Sequence, residues 1–197
     1  ITGTTIAFGS EYVFNSASTY FPAISFDPNN SGKFVIAYKD SGNLNYGTAI
    51  VGTVTGTTIA FGSEYVFNGN VAVWQPAISF DPNNSGKFVI AYTDATASNN
   101  VGTAIVGTIT GTTIAFGSKY VFNNANSLTG TGHGGVLSFD PNNSGKFGIA
   151  YKDIGNSGYG TAIIGTVSGT TITYGSKYVF NSATTEFMRL HFDPINT

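Results

Sequence analysis

Two histidines, His133 and His191, are the side chains here whose ordinary pKa suits proton transfer near neutral pH. A nucleophilic site would need such a base beside a serine or threonine. The two stand in unlike surroundings. His133 lies in a glycine-rich stretch, TGTGHGG, where a loop histidine could touch a ligand. His191 opens HFDP where comparable segments read SFDP, which predicts a partly buried polar residue in a strand. There is no cysteine, so disulfides, thiolate metal sites and a cysteine nucleophile are excluded together.

Carboxylates are the next chemistry to weigh. Glycoside hydrolysis needs a pair of them about 5–10 Å apart in unlike environments. The aspartates here recur instead as copies of one motif, and equivalent copies suit a structural turn better than an acid and base pair. The motif DPNNSG places Asp27, Asn29, Ser31 and Gly32 at the 1, 3, 5 and 6 positions of a calcium loop. The glutamate such a loop needs at position 12 is missing, because Tyr38 stands there. Proline second and glycine sixth describe a β-turn in which Asp27 bonds its own backbone, and we read no metal site and no cofactor. Hydrolases of acidic sugars that use propeller folds gather several arginines; this chain has only Arg189. No catalytic set emerges.

Those residues sit on a repeat. GTTIAFGSEYVFN begins at Gly3 and Gly56 and returns, slightly altered, at Gly111 and Gly169. SFDPNNSGKF begins at Ser25, Ser79 and Ser138, and its aspartates, with Asp193, are 54, 59 and 53 residues apart. Periods of this size mark propellers, solenoids and arrays. Within a period the apolar alternation is two. PAISFDP, KFVIAYKD, YGTAIVGTVT and TTIAFGSEYVFN read as strands A, B, C and D, separated by DPNNSG and TGTT turns. The expected fold is all-β, with tandem four-stranded antiparallel blades of a β-propeller. A β-solenoid is the alternative, although its rungs are shorter. The array of 1–197 divides into a last strand and connector (1–21), blades at 22–75, 76–134 and 135–187, and the first strand of another (188–197). Both ends fall inside a repeat, which suggests a piece of a longer chain.

The connections separate by face. The A–B loop is DPNNSGK in every full copy, and the C–D loop is TGTT or SGTT. All the variation falls on B–C (SGNLNYG, ATASNNVG, IGNSGYG) and on D–A (SASTYFP, GNVAVWQP, NANSLTGTGHGG, SATTEFMR). In an up-and-down blade these two loops share one face, and a uniform scaffold presenting diverse loops suits binding. Tyr20, Trp74, His133 and Arg189 lie on that face and are the candidate ligand-binding residues. The rings of Tyr20 and Trp74 could stack on a sugar or partner, or fill the gap between blades.

Charge is sparse. Only 9% of residues are charged against about 25% on average, and the net charge of −2 leaves no footprint for nucleic acid. No apolar run reaches the roughly 20 residues of a membrane helix. Fourteen charged residues keep fixed repeat positions, which predicts solvated turn and edge groups; Lys39, Lys152, Glu186 and Arg189 do not.

The run YGTAIVGTVTGTTIAFGSEYVFN followed by FDPNNSGKFVIAYKD resembles a repeat of structural and tail-fibre proteins of marine bacteriophages. The resemblance spans essentially the whole chain. It implies a virion or extracellular location, with a host surface glycan or protein, other virion proteins, or further copies of the chain as partners. It supplies no catalytic residues. The reading is therefore a non-catalytic binding module that recognises a glycan or protein through its variable face. The alternatives are a structural spacer or decoration protein and, behind it, a carbohydrate-active propeller enzyme.

Overall fold

The computed structural model describes residues 8–69, 71–96, 99–128 and 137–195. Strands β1 (Thr19–Phe26), β2 (Lys33–Asp40), β3 (Tyr46–Thr55) and β4 (Thr58–Asn68) form the first antiparallel blade. The second holds β5 (Val73–Phe80), β6 (Lys87–Thr96), β7 (Asn99–Thr110) and β8 (Thr113–Leu128). The third holds β9 (Leu137–Phe139), β10 (Lys146–Asp153), β11 (Tyr159–Ser168) and β12 (Thr171–Thr184). The far end of β8 also pairs with β10, so the second and third blades join edge to edge. The inner strands of successive blades pack together, β1 on β5 and β5 on β9. This is the blade-on-blade architecture of a β-propeller, and among the described residues no sheet closes on itself.

The B strand explains the packing. In KFVIAYKD one face is large (Phe34, Ile36, Tyr38) and the other small (Val35, Ala37), and all five are buried. Val35, Ala37, Ala49 and Val51 face the next blade, where Phe88, Ile90 and Tyr92 fill the complementary space. The step repeats as Val89 and Ala91 meet Phe147, Ile149 and Tyr151. Each buried large side chain contributes about 1.5–3 kcal/mol, so the core lies between blades and not within any one.

A chain of ring contacts crosses each boundary. Phe67 meets Tyr92 at 5.1 Å and Phe116 at 6.0 Å, edge on or tilted. Phe14 does the same with Tyr38 at 5.2 Å and Phe61 at 6.1 Å. Residues 8–15, expected as a D strand, are not a strand, and neither are 188–195, expected as an A strand. Among the described residues neither segment has a strand to pair with. Phe14 nevertheless occupies the place of Phe67, so ring packing, with a bond from Asn15 Nδ2 to Asp40 Oδ1 at 3.1 Å, holds that segment without a strand ladder.

Two glycines carry the geometry of each C strand. Gly107 lies under the Phe88 ring, and a Cβ there would meet the ring carbon at 2.2 Å. Gly111 opens the two-residue hairpin to β8 with φ of 63°, the sign such tight loops demand at that position.

Six of the seven repeat-locked aspartates are not solvated turn groups, contrary to the sequence expectation; Asp193 alone among them is exposed. Asp27, Asp40, Asp81, Asp94, Asp140 and Asp153 are all buried. At Asp27 and Asp81 the carboxylate survives burial because N–H donors converge on it. Asp27 Oδ1 accepts from Asn29 N at 2.9 Å, as a turn aspartate should. Its Oδ2 accepts from the side chain of Asn30 and from Gly86 N of the next blade. Asp81 repeats both bonds, with Gly145 N at 3.1 Å. Asn29 reaches Pro82 O and Asn30 reaches Ser85 Oγ, so the invariant A–B loops form a hydrogen-bonded clasp from blade to blade. That is the physical reason for their uniformity.

Candidate binding site

At the opposite end of the blades the B–C and D–A connections meet. The first two D–A connections enter their A strands through a bulge, between Tyr20 and Ala23 and again between Trp74 and Ala77. The bulged residues Phe21 and Gln75 take φ of 53° and 50°, and Phe187, at the same repeat position but outside any strand, takes 53°. Positive φ is rare for such side chains, so the kink is a repeat feature, and bulges of this kind re-aim the side chains beside them.

The re-aimed side chains make a pocket. Tyr20, Phe21, Lys39, Asn45 and Trp74 line a cavity of about 390 Å³ across the boundary between the first two blades. Tyr20 pairs with Lys39 across β1 and β2, while Trp74 arrives from the second blade. A backbone bond from Val73 N to Asn45 O, 3.2 Å, fixes the two blades together at the rim. The rings of Phe21 and Trp74 lie 6.0 Å apart and those of Tyr20 and Phe21 6.3 Å. Tyr20 and Trp74 remain 49% and 40% exposed, so they both wall the gap between blades and face solvent. The two readings of these rings merge.

Lys39 was not among the candidates from sequence, yet it forms the floor. It is 7% exposed, with its ammonium 3.5 Å from the Trp74 ring centre and 5.8 Å from that of Tyr20. Burial lowers its pKa from the ordinary lysine value. Cation–π attraction supports the charge in that position. The signal in the sequence was slight: Lys39 was one of four charges outside the repeat-locked set.

The remaining candidates are placed elsewhere. Arg189 is exposed near the chain's end, donates from Nη1 to Met188 O at 3.0 Å, and does not line the pocket. His133 lies outside the described residues. His191 is exposed and outside any strand, not partly buried in one, because the A-strand segment there has no ladder.

Counting back from each FDP aspartate shows that Tyr20, Trp74, His133 and Glu186 occupy one repeat position. The residues of the preceding blade that serve this position are Lys39, Thr93 and Lys152. Lys152 forms an ion pair with Glu186, and Thr185 N bonds Gly158 O at 3.0 Å just as Val73 bonds Asn45. The pocket and the Lys152–Glu186 pair are thus two versions of one repeat position; its copy at the second boundary, His133, lies outside the described residues.

No family model matches the chain, and no curated protein matches it significantly. Its fold is similar to solved structures of Sqt1 from Chaetomium thermophilum. One, of Sqt1 alone, is 12% identical with a TM-score of 0.53 and covers 86% of this chain and 38% of that one. Another, of Sqt1 bound to the N-terminus of the ribosomal protein L10, is 10% identical with a TM-score of 0.55 and covers 86% and 40%. The chain spans about two fifths of the length of those proteins. At this identity the likeness concerns the fold.

Proposed function

We propose that this chain is a non-catalytic binding module that holds its ligand on the B–C and D–A face, with the pocket of Tyr20, Phe21, Lys39, Asn45 and Trp74 as a contact site. The single observation that carries the reading is the division of labour between the two faces. The invariant A–B loops are consumed by the blade-to-blade clasp, while the first B–C loop and the first two D–A connections converge on an open, aromatic-walled cavity that Lys39 also lines. Cavities of this size with apolar walls and few polar groups suit small ligands or protruding side chains. A similarly folded protein, Sqt1, has been crystallised with a protein segment bound, which supports binding as a use of the architecture. A surface glycan or protein of a host cell, met by a virion or other extracellular assembly, is the partner class we favour.

The test is a glycan-array and surface-protein screen of the full chain, repeated with Tyr20→Ala and Trp74→Ala. Selective binding that the substitutions abolish supports the reading. Binding that survives both substitutions removes the pocket from it.

A second reading, a structural spacer, is favoured by one observation. Tyr178, Val179 and Phe180 on β12 are 47–67% exposed, an apolar strip on an outer blade. Self-association in solution that Tyr178→Ser and Phe180→Ser together prevent would support it.

A further inference from the structure

We infer that the pocket between the first two blades selects a carboxylate-bearing ligand, an acidic sugar residue of the uronic acid class, with Lys39 pairing with the carboxylate and Tyr20 and Trp74 flanking the ring. The inference rests on the binding reading above and deepens it.

The repeat itself supplies the first argument. At the third blade boundary Lys152, the counterpart of Lys39, is neutralised by Glu186, which stands in the position of Trp74. The slot's own answer to its lysine is therefore a carboxylate. At the first boundary that position holds an aromatic ring, and among the described residues no carboxylate pairs with Lys39; the ion pairs found there are Lys119–Asp94 and Lys152–Glu186. Lys39 is more than nine-tenths buried and lines the open cavity. Its ammonium lies against the Trp74 ring at the cavity with no carboxylate partner among the described residues, so a ligand anion that reaches it gains a pairing the protein has not supplied.

The walls narrow the class. Tyr20, Phe21 and Trp74 present ring surface, and Asn45 at the rim carries an amide. Pyranose rings offer a flat C–H surface to aromatic rings and hydroxyls to an amide, and a uronic acid adds one carboxylate on that frame. An acidic peptide would bring the carboxylate on a narrow methylene stem that leaves the rings largely uncovered. A neutral sugar would leave the ammonium unpaired. At the second boundary Thr93 replaces the lysine, so the preference belongs to the first slot.

Trp74 is the only tryptophan, so its fluorescence reports on this pocket alone. The experiment titrates the full chain with trigalacturonic acid, with the neutral sugar maltotriose and with a glutamate-rich peptide. Each is followed by tryptophan emission and by calorimetry, in the parent and in Lys39→Gln, with circular dichroism confirming that the variant is folded. The expected result is saturable binding of trigalacturonic acid at least tenfold tighter than either competitor, with that preference lost in Lys39→Gln and unchanged in Lys152→Gln. Equal affinity for trigalacturonic acid and maltotriose would overturn the charge selection while leaving a sugar-binding module. Preference for the peptide would overturn the sugar class while leaving a binding module. Binding of none of the three overturns the inference; the array screen above then decides the broader reading separately.

Discussion

Asp27 Oδ2 accepts the backbone N–H of Gly86 at 2.8 Å, from one blade to the next across 59 residues of sequence. The same carboxylate is also the pivot of its own turn. One side chain therefore shapes a loop and locks that loop to its neighbour.

This double use makes the copies unequal. Asp27 and Asp81 each hold a glycine amide of the following blade, whereas Asp140 accepts, among the described residues, from Asn142 N and Asn143 Nδ2 of its own turn. Asp81→Asn puts an amide among converging N–H donors and is expected to cost about 1–3 kcal/mol more than Asp140→Asn. Chemical denaturation of the two variants checks the difference.

Tyr38 and Tyr92 occupy the same repeat position and should respond oppositely to one substitution. Tyr38 donates its hydroxyl to Glu64 Oε1 at 2.5 Å. In the next two blades Lys119 and Lys177 replace that glutamate and turn to Asn68 and Asn123, and the buried hydroxyls of Tyr92 and Tyr151 have no partner among the described residues. Tyr38→Phe is expected to cost about 1 kcal/mol, while Tyr92→Phe is neutral or stabilising by up to about 1 kcal/mol. Thermal melts of the two single variants give the signs directly.

Gly107→Ala forces a methyl group into the ring of Phe88. Overpacking of this kind costs about 1–3 kcal/mol. Removing the ring as well relieves the clash, so Gly107→Ala combined with Phe88→Leu should lose less stability than the two single effects summed. A double-mutant cycle measures that coupling.

Alkaline pH should unfold the chain through its buried phenols. Burial raises the pKa of Tyr38, Tyr92, Tyr151 and Tyr174, with Glu64 adding to the effect at Tyr38 and Asp94 and Asp153 at the next two. The native state keeps these protons, while the unfolded chain releases them once pH passes the ordinary 10.0. Stability contributed by these groups is thus present below that value and lost above it. Tyrosinate absorbance should rise in two stages, exposed rings first and the buried set together with unfolding; one smooth titration of every tyrosine would contradict this. Lys39 shifts the other way: its lowered pKa means that affinity for an acidic ligand falls at a pH where an ordinary lysine is still charged.

Much of this was readable from residues alone. The fourfold return of FDP, the period of two in KFVIAYKD and the TGTT hairpins specify antiparallel strands and their order, because alternation and turn chemistry are local properties. The split between uniform and variable loops was legible too, since up-and-down topology assigns loops to faces without coordinates. Tyr20 and Trp74 were singled out on that basis. What tertiary structure decided is everything that crosses a blade boundary. Asp27 looks like a turn residue until Gly86 arrives from 59 residues away to occupy its second oxygen. Lys39 looks like a surface charge until Trp74 covers it from the next blade. Local sequence carries no record of which neighbour will desolvate a charge, and burial by another blade is what turns an aspartate into a clasp and sets a lysine in the lining of a pocket between blades.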